Sequence, residues 1–461
     1  MTINLFTIIH ARRIAAVALT AVAFIAVHAQ EVLTMEQCRS LALQHNKEVA
    51  AAKMQTASAQ YMRKSYKALY LPDFSASGNA LYHTADGKFS VPGGNLPTFS
   101  LGTDGVPQFD GRYALFPGMD FDYKIGFVYS AGVQVQQPIY QGGKIIAANR
   151  IAGLTEQMSI ENERLTASDV ILNTENAYVL LVKATEMRKV AEKYNALLAE
   201  LLRNVESAYR HGLKPQNDVL KVQVKLNESE LQLRKAENAI RLARMNLCHC
   251  IGRPLTDDVA VADSLPALVA AVEREPMLDI TQRPEYAILE KKVAIAEQQV
   301  KLNRSEMLPK VGVQAGYAYT HGVKVRDNYL FDNGGFSVLL NVKLPLFHFG
   351  ERSNKVRSAR AALQQTQLEQ QNLNEMMMLE LAQALNNLDE ARMECDIADR
   401  SLAQADENRR LSDSQYRVGL ETLSDNLEAQ TLWQQAYETQ ISSRYQLYLT
   451  YLTYQKAAGK L

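Results

Sequence analysis

Cysteine is scarce, with four residues in a chain of 461. That is too few for a disulfide framework, even in an exported protein. The only cluster is Cys248-His249-Cys250. On one helix end its two sulfurs point in different directions, and no further ligands stand nearby to complete a metal site. Net charge is absent as well, because Lys+Arg and Asp+Glu each number 50. A balanced chain offers no electrostatic case for nucleic acid. Beyond the first thirty or so residues there is no apolar run of the length, roughly 20 residues, that a spanning helix needs, and mean hydropathy is −0.21. Catalytic signatures are missing too: there is no His-Glu-x-x-His, no Gly-x-Ser-x-Gly and no complete phosphate loop. Gly142-Gly143-Lys144 resembles the end of such a loop, but Ile145 stands where Ser or Thr would bind the metal. No enzyme activity, cofactor or metal is expected.

What is present begins with an export signal. Arg12 and Arg13 precede the apolar run Ile14 to Val27, and Val27-His28-Ala29 supplies a small-residue cleavage pattern. A secretory signal peptide over residues 1–29, cleaved after Ala29, is expected. No cysteine follows directly, so an N-terminal lipid anchor is not.

The second half of the chain repeats the first. Tyr209-Arg210-His211-Gly212-Leu213 returns as Tyr416-Arg417-Val418-Gly419-Leu420, and Pro138-Ile139-Tyr140 as Pro345-Leu346-Phe347, both 207 positions on (209 to 416, 138 to 345). Leu71-Pro72 pairs with Leu308-Pro309 at 237, so 30 extra positions lie in the first half between Tyr82 and Pro138. Such self-similarity means one structural unit built twice.

Four stretches alternate with period two and read as strands. They are Asp73 to Tyr82, Ile125 to Val135, Val311 to Tyr319 and Phe336 to Leu344. Each is about ten residues, the length of a tilted membrane-spanning strand. Aromatics gather near their ends (Tyr82, Phe127, Tyr129, Tyr319, Phe336), as in an interfacial girdle. Four strands cannot close a barrel in lipid, so several chains must share one. His83 to Lys124, rich in Gly and Pro, is expected as a long external loop, with a short one near Asp327 to Gly335.

Between Gly143 and about Ala208 there is no proline, and Gly350 to about Gln415 matches it. Wholly helical, either would be roughly 100 Å long. Leu381, Ala384, Leu388, Ala391, Cys395, Ala398, Leu402 and Ala405 form a coiled-coil seam of small and apolar residues. Gly212 and Gly419 end these helices. Pro215 opens a return helix to about Cys250, and a second return runs from about Thr422 to Tyr454. Gly252 to Pro284, with four prolines, reads as irregular connecting structure. Met376-Met377-Met378 faces three directions on one helix, and core packing is the expected role.

On these residues the chain resembles the TolC-like outer-membrane efflux proteins. The likeness rests on Leu71-Pro72 and Leu308-Pro309, on Pro138-Ile139-Tyr140-Gln141-Gly142-Gly143 and Pro345-Leu346-Phe347-His348-Phe349-Gly350, and on the two helical tips, Tyr209 to Leu220 and Tyr416 to Leu427. The resemblance implies an internally duplicated α+β membrane protein. As a homotrimer it would form a 12-stranded outer-membrane β-barrel, four strands per chain, continuing into a long periplasmic α-helical barrel. The first repeat would cover 30–250, an equatorial connecting segment 251–282 and the second repeat 283–461. Within them lie strand-loop-strand units 72–142 and 309–347 and helical hairpins 143–250 and 350–455. The implied partners are further copies of the chain, outer-membrane lipid, a periplasmic adaptor and an inner-membrane pump.

The resemblance also carries site residues. The family's acidic entrance ring aligns with Asp425 and Glu428, and Asp218 is the duplicate of Asp425. Tyr209 and Tyr416 are expected to pack at the closed entrance, because Glu421 stands where a basic residue could otherwise tie it together. Gly212-Leu213 and Gly419-Leu420 are expected to meet the adaptor, although Gly at such a place also serves simply as a helix cap. The acids, likewise, suit a helix N-terminus on dipole grounds alone. Two alternatives stay open: a metal-ion efflux channel, and a soluble periplasmic coiled-coil adaptor.

Overall fold

The computed structural model describes residues 31–264, 279–325 and 328–461. The expected signal peptide, Pro266 and Pro276 lie outside the described residues. The described residues divide into two compact units, one of residues 31–59, 155–264, 279–293 and 366–461, the other of 60–154, 294–325 and 328–365. The order is β1 (Glu31–Leu33), α1 (Met35–His45), α2 (Lys47–Ala68), β2 (Asp73–Val91), β3 (Gly94–Leu101), β4 (Pro107–Phe116), β5 (Met119–Gln141), α3 (Lys144–Arg210) and α4 (Gln216–Cys250). There follow β6 (Val259–Val261), α5 (Pro284–Ser305), β7 (Lys310–Val325), β8 (Asn328–Lys343), α6 (Glu351–Arg417) and α7 (Leu423–Ala457). No helix among the described residues is long and apolar enough to cross a membrane.

The smaller unit is built on one antiparallel sheet, in the order β2-β5-β7-β8. Its register places Phe74 opposite Val135, Val133 opposite Tyr317 and Tyr317 opposite Phe336. Cross-strand partners share a face, so these residues make an apolar side. Ser75, Gln134, Gly316 and Ser337 lie on the other side, where the Gln314 amide donates to the Gln134 amide oxygen at 2.6 Å. The phenol end of Tyr317 reaches over Gly334, where an added Cβ would collide with it. All 16 residues of β8 are exposed.

Three expectations for this unit are corrected. The strands span 16 to 23 residues rather than about ten. His83 to Lys124 is not a loop, because β2 and β5 run on through a bulge between His83 and Asp86, and β3 and β4 pair as a separate hairpin. Gly and Pro content hid that hairpin. Yet Pro107 only opens a strand, and Gly111 takes a positive φ of 79° that other residues resist. Most of the short loop expected at 327–335 is strand β8.

In the larger unit α3 packs against α4 on one side and α7 on the other, and α7 packs against α6. A core of Tyr194, Leu198 and Leu201 of α3 with Val222 of α4 and Leu423, Leu427 and Trp433 of α7 fixes the first arrangement. The expected α6 seam forms the second: Leu381, Ala384, Leu388, Ala391 and Cys395 are buried against Leu447 and Tyr454 of α7. Only Met377 of the methionine triplet is buried. Met376 and Met378 are exposed, so core packing accounts for one of the three. The short strand β1 pairs in parallel with β6. From there α1 lies on α3, where Arg39 is ion-paired with Glu175 and the Tyr448 hydroxyl donates to the same carboxylate at 3.0 Å.

Candidate functional site

Both bends between the long helices are built alike. At the end of α3 the Gly212 N–H donates to the Tyr209 carbonyl and the Leu213 N–H to the Ala208 carbonyl, each at 2.9 Å. At the end of α6 Gly419 donates to Tyr416 at 3.1 Å and Leu420 to Gln415 at 2.9 Å. These are Schellman pairs, which close the last carbonyls of a helix around a left-handed residue. Gly212 and Gly419 supply it, with φ of 74° and 80°. A Schellman turn commonly tucks its next apolar side chain against the helix. Here Leu213 and Leu420 are instead 75% and 81% exposed.

The return helices begin differently. Pro215 caps α4 with no side-chain bond, whereas Thr422 caps α7 by accepting from the Asp425 N–H at 3.3 Å. The Thr422 hydroxyl in turn donates to Asp425 Oδ2 at 2.7 Å. One carboxylate oxygen of Asp425 is therefore engaged in the cap. Glu428 is exposed and bonds to nothing among the described residues.

The structure brings the two bends together at Tyr416. Its ring is half-buried beside the core that α3, α4 and α7 share, and the Lys214 ammonium stands 4.9 Å from its centroid. Burial, and then the charge of Asp218, raise the Tyr416 pKa. Lys221 of α4 reaches the Ser424 hydroxyl of α7 at 3.4 Å. Tyr209 stays outside this cluster and is exposed. Sequence reasoning missed Lys214, although the repeat could have found it. Lys214 and Glu421 stand 207 positions apart, so one place in the unit carries a cation in the first bend and an anion in the second. Glu421 keeps one buried carboxylate oxygen without a hydrogen-bond partner.

A sequence model of a family described as outer membrane efflux protein matches residues 38–253 and 280–460. OpmQ, the pyoverdine export outer membrane protein of Pseudomonas aeruginosa, is 26% identical over 312 residues, 66% of this chain and 64% of OpmQ. AprF, an alkaline protease secretion protein of the same organism, is 23% identical over 242 residues, 50% of this chain and 49% of AprF. The chain thus spans less than two thirds of either relative. The Campylobacter jejuni CmeC outer membrane channel superposes with a TM-score of 0.74 at 18% identity, covering 92% of this chain and 85% of CmeC. At that identity the likeness is one of fold.

Proposed function

The chain belongs to the outer membrane efflux protein family, which makes it an outer-membrane protein rather than an enzyme, and on that premise we propose that three copies assemble into one export channel. The observation that carries this reading is that both compact units end in open edges. The sheet stops at β2 and β8 after four strands. The helical layer stops at α4 and α6, and each carries an exposed apolar stripe on its free side. On α4 these are Leu220, Val224, Leu231 and Leu242, and on α6 Leu368, Met376, Leu379 and Met393. Their spacing keeps each stripe on one helical face. An open strand edge in lipid leaves backbone groups unsatisfied, and an unpartnered stripe leaves apolar area in water. Docking the α4 edge of one copy on the α6 edge of the next covers the stripes, and pairing β2 of one copy with β8 of another satisfies the strand edges.

Three copies give 12 strands, enough for a barrel, with both repeats of every chain contributing two strands and a helical hairpin. The assembled tunnel exports solutes from the periplasm or cytoplasm as the outer component of a tripartite efflux or type I secretion system. Its bends, with Leu213 and Leu420 exposed, receive a periplasmic adaptor that links it to an inner-membrane pump. The names of OpmQ and AprF, one an exporter and one a secretion protein, support an export role.

Leu231→Glu combined with Leu379→Glu tests the reading. Native mass spectrometry in detergent should give trimers for the unaltered protein and monomers for the variant, and only the former should conduct in planar bilayers. A monodisperse monomer of the unaltered protein would sink the proposal.

A further inference from the structure

A cavity of about 520 Å³ opens between α3, α6 and α7. Lys183 lines it from α3, Glu394 and Ser401 from α6, and Ser442, Ser443 and Gln446 from α7. Lys183 is half-buried, and burial pulls its pKa below the ordinary lysine value. Its ammonium stands 4.7 Å from the Tyr445 ring centroid. That ring is held in turn, because the Tyr445 hydroxyl donates to Asn176 Oδ1 at 2.6 Å. A lysine so placed keeps its charge oriented while its N–H donors stay free for a ligand. Ser443 spends its hydroxyl proton on the Gln440 carbonyl at 2.9 Å. Among the described residues the Ser401 and Ser442 hydroxyls and the Gln446 amide make no such side-chain bond, and they can donate into the cavity.

The direction of the cavity follows from helical geometry. Gln446 precedes Tyr448 by two residues, about 200° around α7. Tyr448 faces the Glu175–Arg39 pair that holds α1. The cavity therefore opens on the face of the helical layer turned away from α1. In a tunnel made of this layer, α1 can lie only outside if the bore is to pass cargo.

We propose that this cavity is an anion subsite on the tunnel wall, where Lys183 holds a carboxylate or phosphate group of a passing solute. The inference rests on the channel reading above. Three copies set three ammoniums at one level, a ring whose field favours anions. Glu394 on the rim opposes them and keeps the hold loose enough for release.

Citrate block of the purified full-length protein in planar bilayers tests this. In Lys183→Gln the half-blocking concentration should rise about tenfold, the low end of what a focused field of one sign adds to local counter-ion concentration. Lys183→Arg should stay near the unaltered protein, and Glu394→Gln should be blocked at lower citrate. Lys193→Gln removes a similar lysine, which sits over Tyr437 outside the cavity, and should change nothing. Block of Lys183→Gln at the unaltered concentration overturns the subsite, as does an equal loss in Lys193→Gln or a conducting pore that citrate never blocks. If Lys183→Gln does not assemble, Glu394→Gln alone decides by whether its block tightens. An unaltered protein that forms no pore refutes the channel reading instead, and the subsite with it.

Discussion

Leu213 and Leu420 sit at the one point of each bend where an apolar side chain could have been tucked away and was not. Gly beside each is explained by its positive φ, so its presence alone argues only for a cap. The exposed leucines carry the docking argument. Leu213→Asp with Leu420→Asp should abolish efflux in cells while crosslinked trimers persist; unchanged efflux would confine these residues to the turn. An ion pair with one fully buried partner gives a contrasting residue. The Glu175 carboxylate is fully buried and leans on Arg39 and Tyr448. Arg39→Ala should cost about 3 kcal/mol, the usual penalty for leaving a buried charge without its partner, read as a lower thermal midpoint; a shift within error would show that water already reaches the carboxylate. Single residues were the least legible scale in the sequence. The acids at Asp218, Asp425 and Glu428 could be placed near the bends by alignment of the repeats. That Asp425 gives one oxygen to the Thr422 cap, and that Tyr416 rather than Tyr209 joins the bends, depended on side-chain packing that spacing does not encode.

Elements were more legible, because their periods are set by backbone geometry. The seam from Leu381 to Cys395 and the alternation of the sheet strands were readable, since one buried face imposes a repeat on the residues that build it. The hairpin of β3 and β4 was not, for it pairs only with itself. Nothing buries a whole face of it, so no strict alternation is imposed, and Phe99, Leu101 and Tyr113 remain exposed. Its two ends already adjoin, since a Cβ on Gly93 would meet the Phe116 carbonyl at 2.9 Å and the Gly118 nitrogen at 3.0 Å. Excising residues 94–116 and joining Gly93 to Pro117 should therefore leave the β2-β5-β7-β8 sheet intact. Heat-modifiable trimers on gels should survive the deletion. Their loss would mean that the hairpin helps to hold neighbouring copies together.

At the scale of the whole assembly, the chain's zero net charge hides an uneven distribution. Asp425 and Glu428 are both exposed and three residues apart, so they share one face of α7 just past its cap. We propose that these acids line the periplasmic entrance, where three copies would set six such carboxylates in a ring that favours cations and attracts polyvalent ones. The two acids are not equivalent, however. Asp425 also serves the Thr422 cap, so Asp425→Ala removes a helix-end contact along with a charge. Glu428 has no such duty, and Glu428→Ala isolates the electrostatic effect. Reversal potentials across a salt gradient should show cation preference reduced in Glu428→Ala and reduced further in the pair, with block by multivalent cations weakened in step. Stability should fall only where Asp425 is lost. If cation preference and multivalent block both survive the double substitution, the carboxylates are helix-end acids and the selective ring lies elsewhere along the tunnel.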